Sequence, residues 1–254
     1  MTFVRPKKHL GQHFLKDDNI AKKIVVSLHD NSNVIEIGPG TGILTKHLLE
    51  IPNINLRLIE VDKESVDYLV LQYPELKEQI LFADFLRHDL KGLFSDSFSV
   101  IGNFPYNIST QILFKVLEYR SQITEVVGMF QKEVAERIAS GPGKKVYGIL
   151  SVLMQAFYNI EYLFTVNENV FVPPPKVKSA VIRFVRNDVE ALDCDEKLFF
   201  SVVKTAFNQR RKTLRNALSS FHFADHPDIA VLLTKRAEQL YVKDFIFLTN
   251  KVEK

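Results

Sequence analysis

The stretch NVIEIGPGTG, residues 33–42, changes character at its midpoint. Asn33 to Ile37 is a short apolar, β-favouring run. GPGTG (38–42) follows, and beyond it the pattern turns helical. The expected order is strand, tight glycine loop, helix. Glycine there permits a sharp turn and a close approach of backbone to a ligand. The spacing is G-x-G-x-G, not the G-x-G-x-x-G of dinucleotide enzymes. The chain has no G-x-x-x-x-G-K-[ST], and the loop has no lysine to meet phosphates. An adenosine-type ligand without phosphates fits best. Taken alone, the same residues also suit a plain strand-to-helix turn.

Outward from this loop the first two-thirds of the chain alternates short β-rich runs with amphipathic stretches. Strands are expected at 33–38, 56–61, 79–83, 98–102 and 123–130. In 109–119, Ile112, Leu113, Val116 and Leu117 recur at helical spacing. Repeated β-then-α units imply a parallel sheet covered by helices on both faces. Ligands of such sheets lie beyond the carboxyl ends of the strands. The glycine loop, Glu60, Asp84 and NFPY (103–106) all stand at expected strand ends. One layout therefore brings all four to one sheet edge. After SGPGKK (140–145) come a helical pattern at 147–157 and two strand candidates, 159–166 and 179–185, which read as a late antiparallel pair at the sheet edge. RNDVEALDCDE (186–196) reads as a polar linker. The remainder is helical, with Leu198, Phe199, Val202, Val203, Ala206 and Phe207 as one apolar stripe and Leu214, Ala217, Leu218 and Phe221 as another. The domains expected are 1–186 and 187–254.

Two carboxylates give the loop its context. Glu60 ends the second strand, about twenty residues past the glycines, where an acid can accept both ribose hydroxyls. Asp62 follows as a cap for the helix DKESVDYLV, which leaves Glu60 the better ribose ligand. Asp84 ends the third strand and can accept from an adenine amine while Phe85 packs on the ring. Glu60 also reads as a solvated charge or a helix cap, and Asp84 as a helix cap. Three such signals at successive strand ends point to one ligand.

NFPY follows the buried run FSVIG (98–102). An amide, a proline-stiffened turn and an aromatic suit the holding of a flat, amine-bearing ring. If the glycine-loop ligand is S-adenosylmethionine, the chain methylates an exocyclic or amide nitrogen. The Asn103 side-chain oxygen and the Phe104 backbone carbonyl can then accept the two N–H bonds, and Tyr106 can stack on the base. No side-chain nucleophile is needed. An Asx turn with a packed tyrosine is the plain structural reading of the same residues.

At 254 residues, with 46% apolar and 25% charged content, the chain can hold one large domain and a small one. No apolar run approaches the ~18 residues that span a membrane, and the basic start has no apolar segment of a secretory signal. Cys194 is the only cysteine, so no internal disulfide is expected; a cytoplasmic monomer is. His222 and His226 are four apart, but FHFADHP reads as a helix end and a turn, so no metal site is expected. Net charge is only +3, yet charge is unevenly spread. Lys204, Arg210, Arg211, Lys212 and Arg215 fall within twelve residues that hold no acid, and Arg5, Lys7, Lys8 and Lys16 lie in an acid-free start. Such patches suggest a polyanionic partner. Lys144 and Lys145 are further candidates.

At these motifs the chain resembles the KsgA-type ribosomal RNA adenine N6,N6-dimethyltransferases, over nearly its whole length. GQHFL (11–15), EIGPGTG (36–42), GNFPYNIST (102–110), QKEVAERI (131–138), VFVPPPKVKSAVIRF (170–184) and FNQRRKTLRNAL (207–218) all look like family motifs. The resemblance implies a Rossmann-like S-adenosylmethionine-dependent methyltransferase sheet with a small C-terminal helical domain. It implies dimethylation of two adjacent adenosines near the 3′ end of small-subunit ribosomal RNA, late in subunit assembly. Gln12, His13 and Leu15 should close over the methionine end of the cofactor, with Glu36, Gly38 and Gly40 beside it. Glu60 should hold the ribose, and Asp84 with Phe85 the adenine. Asn103, Phe104, Pro105 and Tyr106 should bind the target base, Asn103 also touching the cofactor, and Phe171 should stack on the base's other face. Arg210, Arg211, Lys212 and Arg215 should track RNA phosphates. His13 stands where many relatives have Asn, and Phe104 where many have Leu; a packing role suits His13 equally well.

Three rival readings share parts of this pattern. A large-subunit adenine methylase of macrolide-resistance type would carry the same sheet and N-x-P-Y, but PPPKVKSAVIRF and GQHFL favour the first reading. The basic 207–218 segment argues against a DNA or protein-glutamine methylase. Intact Glu60, Asp84, Asn103 and Tyr106 argue against a non-catalytic RNA-binding assembly factor.

Overall fold

The computed structural model describes residues 4–253. In chain order its strands and α-helices are β1 (Phe14–Leu15), α1 (Asp18–Val26), β2 (Asn33–Ile37), α2 (Ile43–Leu48), β3 (Asn55–Glu60), α3 (Lys63–Gln72), β4 (Ile80–Phe82), β5 (Phe98–Asn103), α4 (Ser109–Glu118) and β6 (Ile123–Gln131). Then follow α5 (Lys132–Ala139), α6 (Ile149–Gln155), β7 (Tyr158–Val166), β8 (Phe171–Val172), β9 (Ser179–Arg186), α7 (Glu196–Asn208), α8 (Leu214–Ala217), α9 (Pro227–Thr234) and α10 (Val242–Asn250). Contacts divide the chain into two compact units. One runs to Ala135 and takes in Glu161–Arg186; the other holds Glu136–Ile160 and continues from Asn187.

The seven-stranded sheet has the order β4-β3-β2-β5-β6-β9-β7. The pairs β3–β4, β2–β3, β2–β5 and β5–β6 are parallel, and β9 is antiparallel to β6. Chain order reverses between β2 and β5. That reversal opens a crevice at the carboxyl ends, the usual ligand position in such sheets. The central strands are apolar because both their faces are covered; every residue of β5 except Asn103 is buried. Ile112, Leu113, Val116 and Leu117 of α4 are buried, as their spacing predicts. Asp17 and Asp62 cap α1 and α3 by accepting from Ile20 N and Glu64 N. Outside the main sheet, β1 and β8 form a two-stranded ribbon with Leu15 opposite Phe171 and Phe14 opposite Val172.

The second unit is helical. Asp195 caps α7 at Leu198 N (3.0 Å), and Phe199, Val202, Val203, Ala206 and Phe207 form its buried face, with Leu198 only partly covered. The Tyr147 ring lies 6.1 Å from that of Phe207, which lies 6.0 Å from Phe245. These aromatic contacts bind residues 136–160 to the C-terminal helices, whereas the sequence places them with the first 186. A second difference concerns the basic run. The sequence reads it as a helix, but α7 stops at Asn208, residues 209–213 form a turn, and α8 has four residues. Lys212 N bonds to Gln209 O (2.8 Å), closing a local turn, and Leu214 N bonds to Lys235 O (2.7 Å), a tertiary bond that redirects the backbone there. His226 caps α9, with its Nδ1 accepting from Asp228 N (3.2 Å). Among the described residues no group of three His, Cys, Asp or Glu side chains converges as a metal site, and no helix is long and apolar enough to cross a membrane.

Candidate active site

The glycine loop sits at the end of β2 with Gly38 and Gly40 in left-handed backbone, at φ 62° and 58°. A Cβ on Gly38 would enter open space, so the backbone there forms a bare wall of a cavity. A Cβ on Gly40 would lie 2.8 Å from Phe14 Cε1, so that glycine admits the phenylalanine ring against the loop. Gly38 N donates to Ile59 O (2.9 Å), which ties the loop to β3.

Glu60, 3% exposed, holds the loop from beneath. Its Oε2 accepts from Gly40 N (3.0 Å) and its Oε1 from Asp62 N (2.8 Å). Burial raises its pKa, and these backbone bonds oppose the rise. Asp62 takes the capping role, with one oxygen on Glu64 N (3.1 Å). Burial would raise its pKa too, but bonds from Lys7 and from Gln12 Nε2 outweigh burial and lower it. Two acids two positions apart thus divide: Glu60 ties down the glycine loop at the cavity wall, and Asp62 caps α3. Asp84 fixes its own turn through Leu86 N (2.9 Å) and lines the cavity beside the buried Phe85.

Glu36 is placed differently from the expectation of a direct cofactor contact. It lies under the loop, where its Oε2 accepts from Thr45 Oγ1 (2.7 Å). It borders a void of about 20 Å³ with Gly38, Thr41 and Asn103, not the main cavity. Burial lifts its pKa to about 8, with the nearby Glu60 charge adding to the rise.

At the end of β5, Asn103 Nδ2 donates to the His13 backbone carbonyl (2.8 Å). The amide is thereby oriented, Oδ1 is left as its open acceptor, and Asn103 lines the cavity. The Phe104 ring is buried edge-on to Phe130, at 5.3 Å and 83°. Gly102 and Gly128 make its slot: a Cβ on either would come 2.7 or 2.3 Å from that ring. The side chain is thus committed to the core, and the backbone carbonyl is the part of Phe104 that the site can use. The Tyr106 hydroxyl bonds Ser179 Oγ, and one face of its ring is stacked on His13 at 5.5 Å and 26°.

The segment 7–14 forms the opposite wall. Gln12 accepts from Lys7 N (2.8 Å) and donates to Asp62 Oδ2 (3.2 Å), and the Lys7 ammonium pairs with Asp62. His13 Nδ1 bonds Pro173 O (2.7 Å), so its ring packs on Tyr106 and not over the glycine loop. Gly11 is in left-handed backbone, at φ 67°, which favours glycine, and a Cβ there would also displace the Asn107 amide.

Two expected site residues are turned away. Leu15 and Phe171 are opposed in the β1–β8 ribbon, and directly opposed residues share a face. That face meets the core, where both are buried, Phe171 to 1% exposure. Phe171 therefore offers no ring face to a base in this arrangement, and Leu15 does not reach the cavity. Phe14, on the other face, lines it. The sequence reading missed Phe14, although strand alternation with Leu15 was available to find it.

Together these residues enclose a cavity of about 200 Å³. Its wall comes from the ends of β2, β3, β4 and β5 and from the 9–14 segment. It suits an adenosine without phosphates. The bare backbone at Gly38 gives room, Glu60 and Asp84 supply acceptors, Phe85 and Phe14 supply apolar surface, and no lysine lines it. S-adenosylmethionine meets that description.

In the second unit Arg211, Lys212 and Arg215 are exposed and form no ion pair among the described residues. Arg210 bonds to backbone carbonyls of its own chain.

A family model described as ribosomal RNA adenine dimethylase matches residues 4–253. The ribosomal RNA small subunit methyltransferase A of Flavobacterium johnsoniae is 57% identical over 256 residues, covering 100% of this chain and 98% of that protein. The protein of the same name from Parabacteroides distasonis is 58% identical over 252 residues, covering 98% and 94%. Among solved structures, a dimethyladenosine transferase from Plasmodium falciparum superposes with a TM-score of 0.78 at 24% identity, covering 94% of this chain and 99% of that one; this shows the shared fold.

Proposed function

This chain belongs to the ribosomal RNA adenine dimethylase family, and from that footing we propose that it methylates N6 of two adjacent adenosines near the 3′ end of small-subunit ribosomal RNA. The product is N6,N6-dimethyladenosine, and the substrate is an assembling subunit in the cytoplasm, met by a monomer. S-adenosyl-L-methionine supplies an activated methyl group on sulfur, which departs as a neutral thioether while each transfer releases one proton from the amine.

The placement of Asn103 carries this reading. Its amide nitrogen is bound by His13 O (2.8 Å), so its oxygen stands ready to accept an N–H at the wall that also holds Glu60 and Asp84. The lone pair of an exocyclic adenine nitrogen is delocalised into the ring. Acceptance of its N–H bonds by Asn103 Oδ1 and the Phe104 carbonyl favours a pyramidal nitrogen and meets the positive charge that develops in transfer. Pro105 stiffens the turn, and Tyr106 offers its ring to the base. Glu60 holds the ribose hydroxyls, and Asp84 and Phe85 hold the adenine of the cofactor. Gly38, Gly40, Gln12 and Phe14 shape the rest of its cleft. Orientation supplies most of the rate, because the leaving group needs no help. The target bases must leave their stack to enter, which favours a loop or a strand not yet folded into the subunit.

The test uses small subunits that lack native adenine methylation. The protein and tritiated S-adenosylmethionine are added, and the labelled nucleoside is identified after digestion. N6,N6-dimethyladenosine in a 3′-terminal fragment is the expected result. Label in large-subunit RNA instead would assign the chain to the resistance type. No label with cofactor bound would make it a non-catalytic factor.

A further inference from the structure

Arg210 lies in the most basic stretch of the chain, yet its guanidinium is turned onto its own unit. Nη2 donates to the backbone carbonyls of Lys145 (2.5 Å) and Tyr147 (3.0 Å). A guanidinium offers a phosphate two bidentate edges, and both include Nη2. With both Nη2 hydrogens committed, Arg210 has no fork left for an RNA phosphate.

The loop it holds has little packing of its own. Gly143 to Val146 are exposed. Its anchors are Gly143 N on Glu238 O (2.7 Å), a turn closed by Tyr147 N on Lys144 O (3.0 Å), and the fully buried Tyr147 ring against Phe207. Lys144 and Lys145 ride on this loop. Arg210 itself belongs to the turn after α7, which also carries the exposed Arg211 and Lys212. None of these four forms an ion pair among the described residues. The two basic segments are more than sixty residues apart in sequence, and the Arg210 side chain bridges them.

We propose that Arg210 is a positioning residue that clamps the Lys144–Lys145 loop to the Arg211–Lys212 turn, so that these four side chains form one surface for the phosphate backbone of RNA. The inference rests on the RNA-modifying reading above and corrects one residue of the expected RNA-binding set. The clamp fixes the loop before RNA arrives, so the cost of ordering it is not charged against binding. The phosphate contacts themselves position RNA and carry no sequence information.

Binding to unmethylated small subunits is measured against salt for Arg210→Ala, for Lys144→Ala/Lys145→Ala, and for the triple variant. Loss of one phosphate contact lowers the salt slope by about 1. The lysine pair should lower it by about 2. Arg210→Ala, which removes one charge, should also lower it by more than one contact's worth. The triple variant should match the lysine pair, and amide exchange at 143–147 should quicken in free Arg210→Ala protein. If Arg210→Ala costs a full further contact in the lysine-pair background, Arg210 touches RNA directly and the clamp is wrong, while the RNA reading stands. The lysine pair alters only exposed side chains, so it reports even if Arg210→Ala folds poorly. If Lys144→Ala/Lys145→Ala and Arg211→Ala/Lys212→Ala both leave affinity and slope unchanged, the RNA lies elsewhere and the clamp fails with the surface. Failure of the reaction itself is read separately, by the labelled nucleoside.

Discussion

The side-chain amide of Asn103 donates to the backbone carbonyl of His13 at 2.8 Å, across ninety residues of sequence. This bond joins the end of β5 to the 7–14 segment and leaves Oδ1 as the unbonded end of the amide. Asn103→Ala removes both the orientation and the acceptor. Loss of one well-placed charge-stabilising group costs about 10²–10³ in rate. Transfer to RNA should fall by at least that, while calorimetry finds cofactor binding within a few-fold of wild type. Equal loss of both would remove Asn103 from the assigned role.

The Phe104 slot makes a prediction about packing. Gly128→Ala places a methyl 2.3 Å from the Phe104 ring and 2.7 Å from Phe130. Overpacking of this kind costs about 1–3 kcal/mol. Adding Phe104→Leu should recover part of the loss in denaturant unfolding. Gly102→Ala should resist the same rescue, because its new methyl also meets the Ile37 backbone oxygen at 2.7 Å.

Phe171 and Phe14 should separate stability from ligand binding. Phe171→Ala opens a cavity in the core and should cost about 3–5 kcal/mol, with cofactor affinity of the folded protein little changed. Phe14→Ala should do the reverse, weakening cofactor binding with a smaller shift in unfolding midpoint. If Phe171→Ala left stability intact and abolished transfer, the ring would belong to the base site after all.

Lys7 closes the wall through Asp62, and its pKa is raised chiefly by that bond. Lys7→Ala should speed cofactor dissociation several-fold while kcat at saturating cofactor stays near wild type. The difference should shrink at high salt, because the ammonium is partly exposed and screened. Stopped-flow release at two salt concentrations would decide it; an unchanged off-rate would show that the segment stays closed without the pair.

Glu36 sets a pH dependence. Its pKa rises from 4.5 to about 8 in the folded protein, chiefly through burial. Between those values the folded state keeps a proton that the unfolded state has lost, so stability falls as pH rises through that window. Below the lower value the group adds no slope. Glu36→Gln should flatten the decline in melting temperature between pH 5 and 8 and should be the more stable protein at pH 8. A residual slope should remain, because burial shifts Glu60 in the same direction. Parallel curves for variant and wild type would mean that Glu36 is ionised throughout.

The strands, the glycine loop and the Asp62 cap of α3 were legible because their signals are local. Apolar runs mark doubly covered strands, G-x-G-x-G marks a turn, and an acid before a helical pattern marks a cap. The motifs also carried the family, since long runs such as VFVPPPKVKSAVIRF are specific without any structure. Tertiary structure alone decided how these pieces face one another. The pairing of Leu15 with Phe171 turned both into the core and left Phe14 at the cavity. The His13 carbonyl oriented Asn103. The carbonyls of Lys145 and Tyr147 captured an arginine that composition assigned to RNA. In each case the partner lies tens of residues away, and its direction depends on strand register and backbone course. Side-chain chemistry is written in the sequence; which atoms remain unsatisfied and open to a ligand is fixed only when the chain has folded and its other donors and acceptors have been paired.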